Sequence, residues 1–349
     1  MKVWQRDFGK VDGQTTCLFT MKNNSGMEMT CSNYGCIITK ILVPDSNGTL
    51  ENIVLGFNNL EEYIQYSPYF GSVIGRVAGR IKGAQFEIDG ITYTLEQNEN
   101  SNHLHGGNRG FHNVIWNATV KENEEEITIE FTYMSPDGEE GYPGNVNMKV
   151  QYTLTNNNEL LISYYGTTDQ KTLLNVTNHT YFNLSGNLKR DILDHTLTIN
   201  SDEFLELNNE LLPTGQILEV KNTSFDFRKE RKIIDGLRSP HSQNILAGEG
   251  YDHPFLLSTN HQQEIRLADK KSGRVMVIET DEPSVVLYTG NQLEGHYKVH
   301  GIPVRKYLGL CLETQGLPDS IHHSHFPSAV LKKGEEFKSK TKYYFTIMN

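Results

Sequence analysis

The chain has 349 residues, 37% of them hydrophobic and 21% charged, a composition typical of a globular protein and not of a disordered or fibrous one. Aspartate and glutamate outnumber lysine and arginine by 43 to 32, and the formal charge of −11 disfavours phosphate backbones and anionic lipid as partners. We therefore expect no nucleic acid and no membrane among its partners, since no apolar run approaches the roughly 20 residues that span a bilayer.

The N-terminal residues and the cysteines indicate a cytoplasmic protein. The chain turns polar within its first residues, before a signal-peptide hydrophobic segment could form. The four cysteines, Cys17, Cys31, Cys36 and Cys311, are too few and too scattered for a disulfide framework. Cys31 and Cys36 have a loose metal-like spacing, but no second pair completes a zinc site. Free thiols are expected, and whether Cys31 and Cys36 ever pair stays open.

The predicted elements, taken in chain order, are short strands with very little helix. Helical periodicity is limited to residues 60–66 and 230–237. Period-two alternation is clearest at residues 127–133, and the turn Asn156-Asn157-Asn158 joins strands at 148–154 and 161–165 into a hairpin. Further strands are predicted at residues 86–88, 93–95, 196–199, 264–267, 275–279, 285–288, 308–313 and 343–348.

Many short strands separated by turn residues indicate an all-β sandwich or barrel and not a βαβ fold. The sequence contains no linker, no low-complexity tract and no repeat of fixed period. We therefore predict that residues 1–349 form one domain.

Polar residues that can do chemistry are concentrated in five segments. The first, residues 75–81, places Arg76 and Arg80 among small residues, which suggests a guanidinium that reaches into a cleft. A glycine-rich turn with surface arginines explains this segment equally well. The second, residues 102–111, contains His103 and His105. On a strand they would share one face as metal ligands, and in a glycine-rich loop they could hydrogen-bond a sugar.

The third segment, residues 175–184, crowds amides, hydroxyls and aromatic rings around His179. Burying so many polar groups is expensive unless they bond one another or a ligand. Alternation places His179 on the same face as Thr177 and Tyr181, where an aromatic wall could support a bound ring. The alternative is a core histidine with satisfied hydrogen bonds.

The fourth and fifth segments each contain a carboxylate. Asp252, beside His253, is either a ligand clamp or the cap of a turn before proline. Glu313 ends an apolar strand, where burial would raise its pKa and suit it to act as a base, although strand-end glutamates are commonly exposed. No dinucleotide fingerprint, Gly-x-Ser-x-Gly or His-Glu-x-x-His string occurs, and the histidines at 322, 323 and 325 are spaced too tightly for one metal site.

In order along the chain, from Phe70 to Pro327, these segments resemble the aldose 1-epimerase (galactose mutarotase) family. The resemblance implies a β-supersandwich fold with a sugar cleft, and an isomerase that interconverts the α and β anomers of a free hexose such as glucose or galactose. The motifs that carry it are Leu104-His105-Gly106-Gly107 with Gly110-Phe111 and Trp116, Thr177-Asn178-His179-Thr180-Tyr181-Phe182-Asn183-Leu184, Asp252-His253-Pro254-Phe255, Tyr288-Thr289-Gly290-Asn291 and Leu312-Glu313-Thr314-Gln315.

By position, His179 corresponds to the family's general acid and Glu313 to its general base. Arg80, His105 and Asp252 correspond to residues that hold the sugar. Mutarotation removes a proton from the C1 hydroxyl and delivers one to the ring oxygen, which an acid–base pair can do alone. Because no electrons move and no charged fragment leaves, we expect neither a metal nor a cofactor.

Two positions depart from the family pattern. Gly79 stands where Asn usually precedes the arginine, and Val286 and Leu287 stand where Gln often occurs just before the aromatic residue. Both amides would contact the substrate, so their absence leaves the preferred sugar open between glucose, galactose and the end of a longer sugar. The oligomeric state, monomer or homodimer, is also open.

Three rival functions remain. A hexose-6-phosphate 1-epimerase would need a basic cluster at the cleft rim, for which the candidates are Arg76, Arg80 and Arg109. A non-catalytic sugar-binding module would have no need of both His179 and Glu313. A glycosidase would use two carboxylates such as Asp252 and Glu313, which leaves His179 unexplained.

Overall fold

The computed structural model describes residues 1–348. Strands account for 46% of the residues and helices for 8%, which confirms the predicted all-β class. In the described residues the strands are, in chain order, β1 (Lys2–Val11), β2 (Gln14–Lys22), β3 (Glu28–Ser32), β4 (Ile38–Pro44), β5 (Leu50–Asn52), β6 (Val73–Ile74), β7 (Arg80–Ile81), β8 (Gln85–Ile88), β9 (Ile91–Thr94), β10 (His103–Leu104), β11 (Asn117–Glu122), β12 (Glu126–Ser135), β13 (Val146–Thr155), β14 (Glu159–Thr168), β15 (Thr172–Leu173), β16 (Thr177–Asn178), β17 (Tyr181–Phe182), β18 (Thr196–Ile199), β19 (Glu203–Leu207), β20 (Pro213–Glu219), β21 (Arg231–Lys232), β22 (Asp252–Leu256), β23 (Ile265–Ala268), β24 (Arg274–Thr280), β25 (Ser284–Tyr288), β26 (Lys298–Val299), β27 (Ile302–Pro303), β28 (Leu310–Gln315), β29 (Val330–Leu331) and β30 (Glu336–Ile347).

The helices are short. Helix α1 (Leu60–Tyr66) confirms the prediction at residues 60–66, and its N-cap Asn59 accepts a hydrogen bond from the backbone N–H of Glu62. The helix predicted at 230–237 is only α2 (Ile234–Leu237), because residues 231 and 232 pair with β18 as strand β21. None of the helices within residues 1–348 is long and apolar enough to cross a membrane. The remaining helical segments described are α3 (Ser242–Leu246) and 3₁₀ turns at Lys82–Ala84, Phe111–Asn113, Glu139–Gly141 and Ser320–His322.

Three antiparallel sheets in residues 1–348 build most of the fold. Their strand orders are β11-β12-β13-β14-β30-β24-β23-β18-β21, β17-β28-β25-β22-β19-β20 and β1-β2-β3-β4-β5. All three contribute to one apolar core, for example through Met29 of β3, Ile129 of β12 and Leu312 of β28. Each such buried side chain contributes about 1.5–3 kcal/mol relative to exposure.

The alternating segments became strands as predicted, but the sheet formed by β1 to β5 was missed. The predictions at 127–133, 148–154 and 161–165 correspond to β12, β13 and β14, which pair as consecutive neighbours. The edge strand β1 exposes most of its side chains, so it lacks a buried face for alternation to reveal. The strand predicted at 308–313 begins and ends two residues later, as β28.

The six-stranded sheet has one face towards the core and the other towards a cleft. Successive side chains of a strand point to opposite faces. In β28, Leu312 therefore packs in the core while Glu313 lines the cleft. In β25, Leu287 packs in the core while Val286, directly opposite Glu313, lines the cleft. The pleat of this sheet thus decides which side chains are available to a ligand.

Candidate active site

A cleft of about 370 Å³ lies over the outer face of the six-stranded sheet. The five predicted site residues all line it, although they come from distant parts of the chain: Arg80, His105, His179, Asp252 and Glu313. Their convergence depends on strand pairing. Strand β28 lies between β17, which follows His179, and β25, which pairs with the strand that carries Asp252.

His179 and Glu313 are neighbours in the cleft. His179 lies in the break between β16 and β17, where its backbone N–H donates to Ser72 O at 2.9 Å and its carbonyl accepts from Gly71 N at 3.0 Å. Its Nε2 is 3.6 Å from Oε1 of Glu313, and its Nδ1 is 3.5 Å from Sγ of Cys311. The two side chains are 6% and 4% exposed. A buried imidazole and a buried carboxylate are therefore close enough to act on one bound group.

Burial favours the neutral form of both members of this pair. It raises the pKa of Glu313 well above its usual 4.5, an effect that Asp252 increases and Arg80 opposes. It lowers the pKa of His179 to about 4. The neutral pair and the ion pair of Glu313 and His179 hold the same number of protons. They differ only in whether the titratable proton is on the Glu313 carboxyl or on the His179 ring. The site can thus move one proton between the two groups without gaining or losing charge.

His105 presents a hydrogen-bond donor to the cleft. Its Nδ1 accepts the backbone N–H of Gly79 at 3.1 Å, so the neutral ring carries its proton on Nε2. Burial, followed by the neighbouring His179, lowers the pKa of His105 well below 6.5 and keeps it neutral. The two imidazoles are nearly perpendicular, at 88°, with their centroids 5.2 Å apart.

Of the two alternatives for His103 and His105, a shared face of one strand is wrong. Strand β10 ends at Leu104, and His105 has φ = 54°, which turns it out of the strand. His103 is fully buried, and its Nδ1 lies 2.7 Å from the carbonyl of Glu96. Only His105 belongs to the cleft, whereas His103 has a structural role.

Arg80 is held in the cleft by Glu99, a residue that the sequence did not single out. Nε of Arg80 donates to both carboxylate oxygens, at 3.0 and 2.9 Å, and Nη2 donates at 2.7 Å. This bidentate geometry fixes the plane of the guanidinium. Burial raises the pKa of Asp252, and Arg80 opposes that shift. Arg80 therefore also helps to keep a nearby carboxylate charged.

Other candidates from the sequence lie outside the cleft. Arg76 is buried, and its guanidinium donates to Ser135 and to the carbonyls of Pro136 and Pro143. His253 points into the core, with Nε2 3.0 Å from Gln243. In residues 75–81, therefore, Arg80 lines the cleft and Arg76 stabilises the fold.

Several lining residues were missed by sequence reasoning. Alternation along the strand from Asp252 and from Glu313 predicts two of them, Pro254 and Gln315, because residues two apart lie on the same face of the sheet. Leu207 comes from β19, and a further set comes from loops or from α1 and carries no periodic signal: Tyr66, Tyr69, Leu211, Gln292, Glu294, Tyr297 and Pro318.

The two departures from the family pattern have clear structural settings. Gly79 has φ = 77°, and a Cβ atom there would lie 2.8 Å from Cβ of Pro318. Val286 lies opposite Pro254 on the face of the sheet that lines the cleft, and Leu207, Leu211 and Pro318 are further apolar lining residues. In place of the missing amides, the Gly79 backbone packs closely on the Pro318 side chain, and Val286 presents an apolar surface to the cleft.

One group of side chains could hold a metal ion. Among the described residues, the ligand atoms of His105, His179 and Glu313 lie within 4.8 Å of one another. Two imidazoles and a carboxylate are a donor set that zinc accepts. The hydrogen bond from Gly79 leaves the neutral His105 with a proton on Nε2, however, and a protonated nitrogen does not bind a metal. The set therefore favours proton transfer and hydrogen bonding over coordination.

The chain is similar in sequence and in fold to known sugar epimerases. Residues 18–344 match the family model described as aldose 1-epimerase. Galactose mutarotase of Bos taurus is 42% identical over 318 residues, which cover 90% of each chain, and aldose 1-epimerase of Escherichia coli K12 is 35% identical over 341 residues, 96% of each. The crystal structure of galactose 1-epimerase from Lactobacillus acidophilus superposes with a TM-score of 0.89 at 31% identity, covering 100% of this chain and 99% of that one.

Proposed function

Because the chain belongs to the aldose 1-epimerase family and is a mutarotase, we propose that His179 and Glu313 perform the two proton transfers that interconvert the α and β anomers of a free hexose. The observation that carries the proposal is the 3.6 Å separation of His179 Nε2 and Glu313 Oε1 in a cleft of sugar size. Each group contributes on the order of 10²–10⁴-fold as a general acid or base.

The reaction follows from one proton shared by the pair. Transfer of that proton from Glu313 to His179 yields a carboxylate, which the positive charge of Arg80 favours, and an imidazolium. Glu313 takes the proton of the C1 hydroxyl while His179 gives its proton to the ring oxygen. The bond from C1 to the ring oxygen breaks, and C1 becomes an aldehyde. After rotation about C1–C2, the same transfers in reverse close the ring on the other face.

The remaining cleft residues orient the sugar. His105 donates from Nε2, Arg80 offers its guanidinium, and Asp252 accepts hydrogen bonds from ring hydroxyls. Correct placement of a reactant before the chemical step removes much of its entropic barrier. These roles require side chains that cannot swing freely, and the contacts of Arg80 with Glu99 and of His105 with Gly79 supply that restraint.

A neutral monosaccharide suits this cleft better than a sugar phosphate. Among the cleft-lining residues in the described part of the chain, Arg80 is the only lysine or arginine. Its charge is already neutralised by the ion pair with Glu99. Asp252, Glu294 and Glu313 also line the cleft and would repel a phosphate. The candidates Arg76 and Arg109 of the rival proposal are not among the lining residues.

We further propose a cytoplasmic protein of one domain, active as a monomer or homodimer. The free thiols Cys17, Cys31, Cys36 and Cys311 support a reducing compartment. A core shared by the three large sheets supports a single domain. The proposed acid, base and sugar-holding groups all come from one chain, so catalysis needs no second subunit.

Polarimetry of freshly dissolved α-D-glucose and α-D-galactose tests the proposal. The protein should accelerate the decay of optical rotation, and Glu313→Ala should lose the acceleration while remaining folded by circular dichroism. The ratio of the two rates gives the preferred sugar. Acceleration restricted to glucose 6-phosphate would replace the free-sugar proposal with the sugar-phosphate one, and an active Glu313→Ala would overturn the role of the base.

A further inference from the structure

Tyr69 occupies a strained backbone position beside the catalytic pair. Its φ of 66° is in the left-handed region, which an aromatic residue rarely adopts and which costs about 1–3 kcal/mol. The Ser72 N–H donates to the carbonyl of Tyr69 at 3.1 Å, and Gly71 and Ser72 form the two backbone hydrogen bonds with His179. The turn that imposes the strain is therefore bonded directly to the backbone of the proposed acid.

The ring of Tyr69 packs against three imidazoles. Its centroid is 4.8 Å from that of His105 at an interplanar angle of 68°, 4.9 Å from that of His112 at 75°, and 5.7 Å from that of His179 at 35°. Tyr69 lines both the cleft and a second cavity of about 250 Å³ that also contains His112. His105 and His179 line the cleft but not the second cavity, so the Tyr69 ring, which packs against both imidazoles and lines both cavities, separates them from the second cavity.

The hydroxyl of Tyr69 is available to a ligand. Within residues 1–348 it makes no hydrogen bond to another residue, and it is not among the fully buried polar atoms that lack a partner. Burial raises the pKa of Tyr69, Glu99 raises it further, and Arg80 opposes these effects, so the hydroxyl lies in the field of the Arg80–Glu99 pair. A phenol in this setting can both donate to and accept from a sugar hydroxyl.

We propose that Tyr69 has two roles in the mutarotase site: its ring positions His105 and His179, and its hydroxyl binds a sugar hydroxyl next to Arg80. The inference rests on the proposed function and adds a residue to the group that selects and orients the substrate. The backbone strain at Tyr69 is compatible with such a role, because strained residues persist where the surrounding structure holds them for function.

Two substitutions separate the roles. Tyr69→Phe keeps the ring and should raise KM about three- to tenfold, the effect of one lost hydrogen bond, while kcat stays within about twofold. Tyr69→Leu removes the ring and should lower kcat by about tenfold or more, because the imidazoles lose their support. Tyr165→Phe is the matched control, since Tyr165 lies on β14 outside the cleft and its ring packs under Lys149 and not on the imidazoles.

Monodeoxy sugars identify the hydroxyl that Tyr69 binds. The 2-, 3-, 4- and 6-deoxy forms of the preferred hexose are compared on the wild type and on Tyr69→Phe. For one deoxy sugar, Tyr69→Phe should cause no further rise in KM, because the bond is already absent, and the others should show the full rise. Equal rises for all four sugars, or a wild-type KM in Tyr69→Phe, would overturn the hydroxyl's role.

The outcomes distinguish this inference from the proposed function. If the wild type is active, Glu313→Ala is inactive and a folded Tyr69→Leu keeps the wild-type kcat, only the positioning role fails. If Tyr69→Leu does not fold, Tyr69→Phe with the deoxy sugars still tests the binding role. Tyr69→His, which keeps an aromatic ring, then tests the positioning role, which predicts that its kcat stays near that of the wild type. Absence of activity in the wild type would instead contradict the proposed function.

Discussion

Glu313 of β28 lies directly opposite Val286 of β25, so the proposed base enters the cleft beside an aliphatic side chain. In residues 1–348 no side chain forms a hydrogen bond to its carboxylate, and Nε2 of His179 lies 3.6 Å from it. Desolvation without compensating donors explains why burial dominates the pKa of Glu313. The environment of the base is therefore set by its cross-strand neighbour as well as by the imidazole.

The pH dependence of activity should be bell-shaped, because the active enzyme holds one proton on the pair. Acidification adds a second proton, and kcat/KM falls as the pH approaches the low pKa of His179, about 4 in the free enzyme. Alkalinisation removes the shared proton, and kcat/KM falls again. Stopped-flow polarimetry across this range measures both limbs, and a rate that stays flat into the acid range would contradict a carboxylate–imidazole pair.

Val286→Gln should shift the pH profile of activity to lower pH. The introduced amide can donate a hydrogen bond to Glu313, which stabilises the carboxylate and lowers its pKa. Val286→Leu, which remains apolar, is the control and should leave the profile in place. The same variants, assayed on glucose and galactose, test whether the apolar residue sets the sugar preference. An unchanged profile in a folded Val286→Gln would show that the two side chains do not interact.

His179→Ala and Glu313→Gln should each lower kcat by about 10²–10⁴-fold. The double variant should be no slower than the slower single variant, because residues that act as a unit have non-additive effects. Multiplicative losses in the double variant would mean that the two groups act independently.

Glu313→Gln should also change the dependence of stability on pH. A carboxyl whose pKa is raised by folding binds its proton more tightly in the native state, so its favourable contribution is complete below 4.5 and is lost as the pH rises through the raised value. The neutral amide avoids this loss. Urea unfolding at several pH values should therefore show the variant gaining stability relative to the wild type as the pH rises above 4.5, and a difference that stays constant with pH would contradict a raised pKa of Glu313.

Glu99→Gln should raise KM several-fold with a smaller change in kcat. Glu99 fixes the guanidinium plane of Arg80 by its bidentate contact, and an amide would keep fewer of these bonds. Initial rates over a range of sugar concentrations give the two constants. Glu279→Gln, which removes a remote ion pair with Lys342, is the control. A drop in kcat alone would assign Glu99 a different role.

Gly79→Asn should destabilise the fold by about 1–3 kcal/mol although it restores the residue usual in the family. Asn tolerates a φ of 77° better than most residues, but its Cβ would lie 2.8 Å from Pro318. Denaturant unfolding measures the change. Gly90→Asn, at φ = 78° with open space around it, is the matched control and should cost less. Equal stability of the two variants would show that Pro318 yields easily.

The sequence by itself determined the fold class, many of the strands and the residues that resemble known site residues. Alternation at β12 to β14 reports which side of each strand is buried, a property of local sequence. Motifs around His179 and Glu313 carried the resemblance to the aldose 1-epimerase family, which the comparisons confirm. The edge strand β1 was not predicted, because it buries too little of either face to produce an alternating hydrophobic pattern.

Only the tertiary structure decided which groups meet. The register of β28 against β25 placed Val286 beside Glu313, and the turn at His105 separated it from His103. The contacts of Arg80 with Glu99 and of Tyr69 with the imidazoles likewise join segments without any shared local pattern. Local sequence constrains the face on which a side chain lies, whereas strand pairing and loop conformation constrain its neighbours, and chemistry depends on the neighbours.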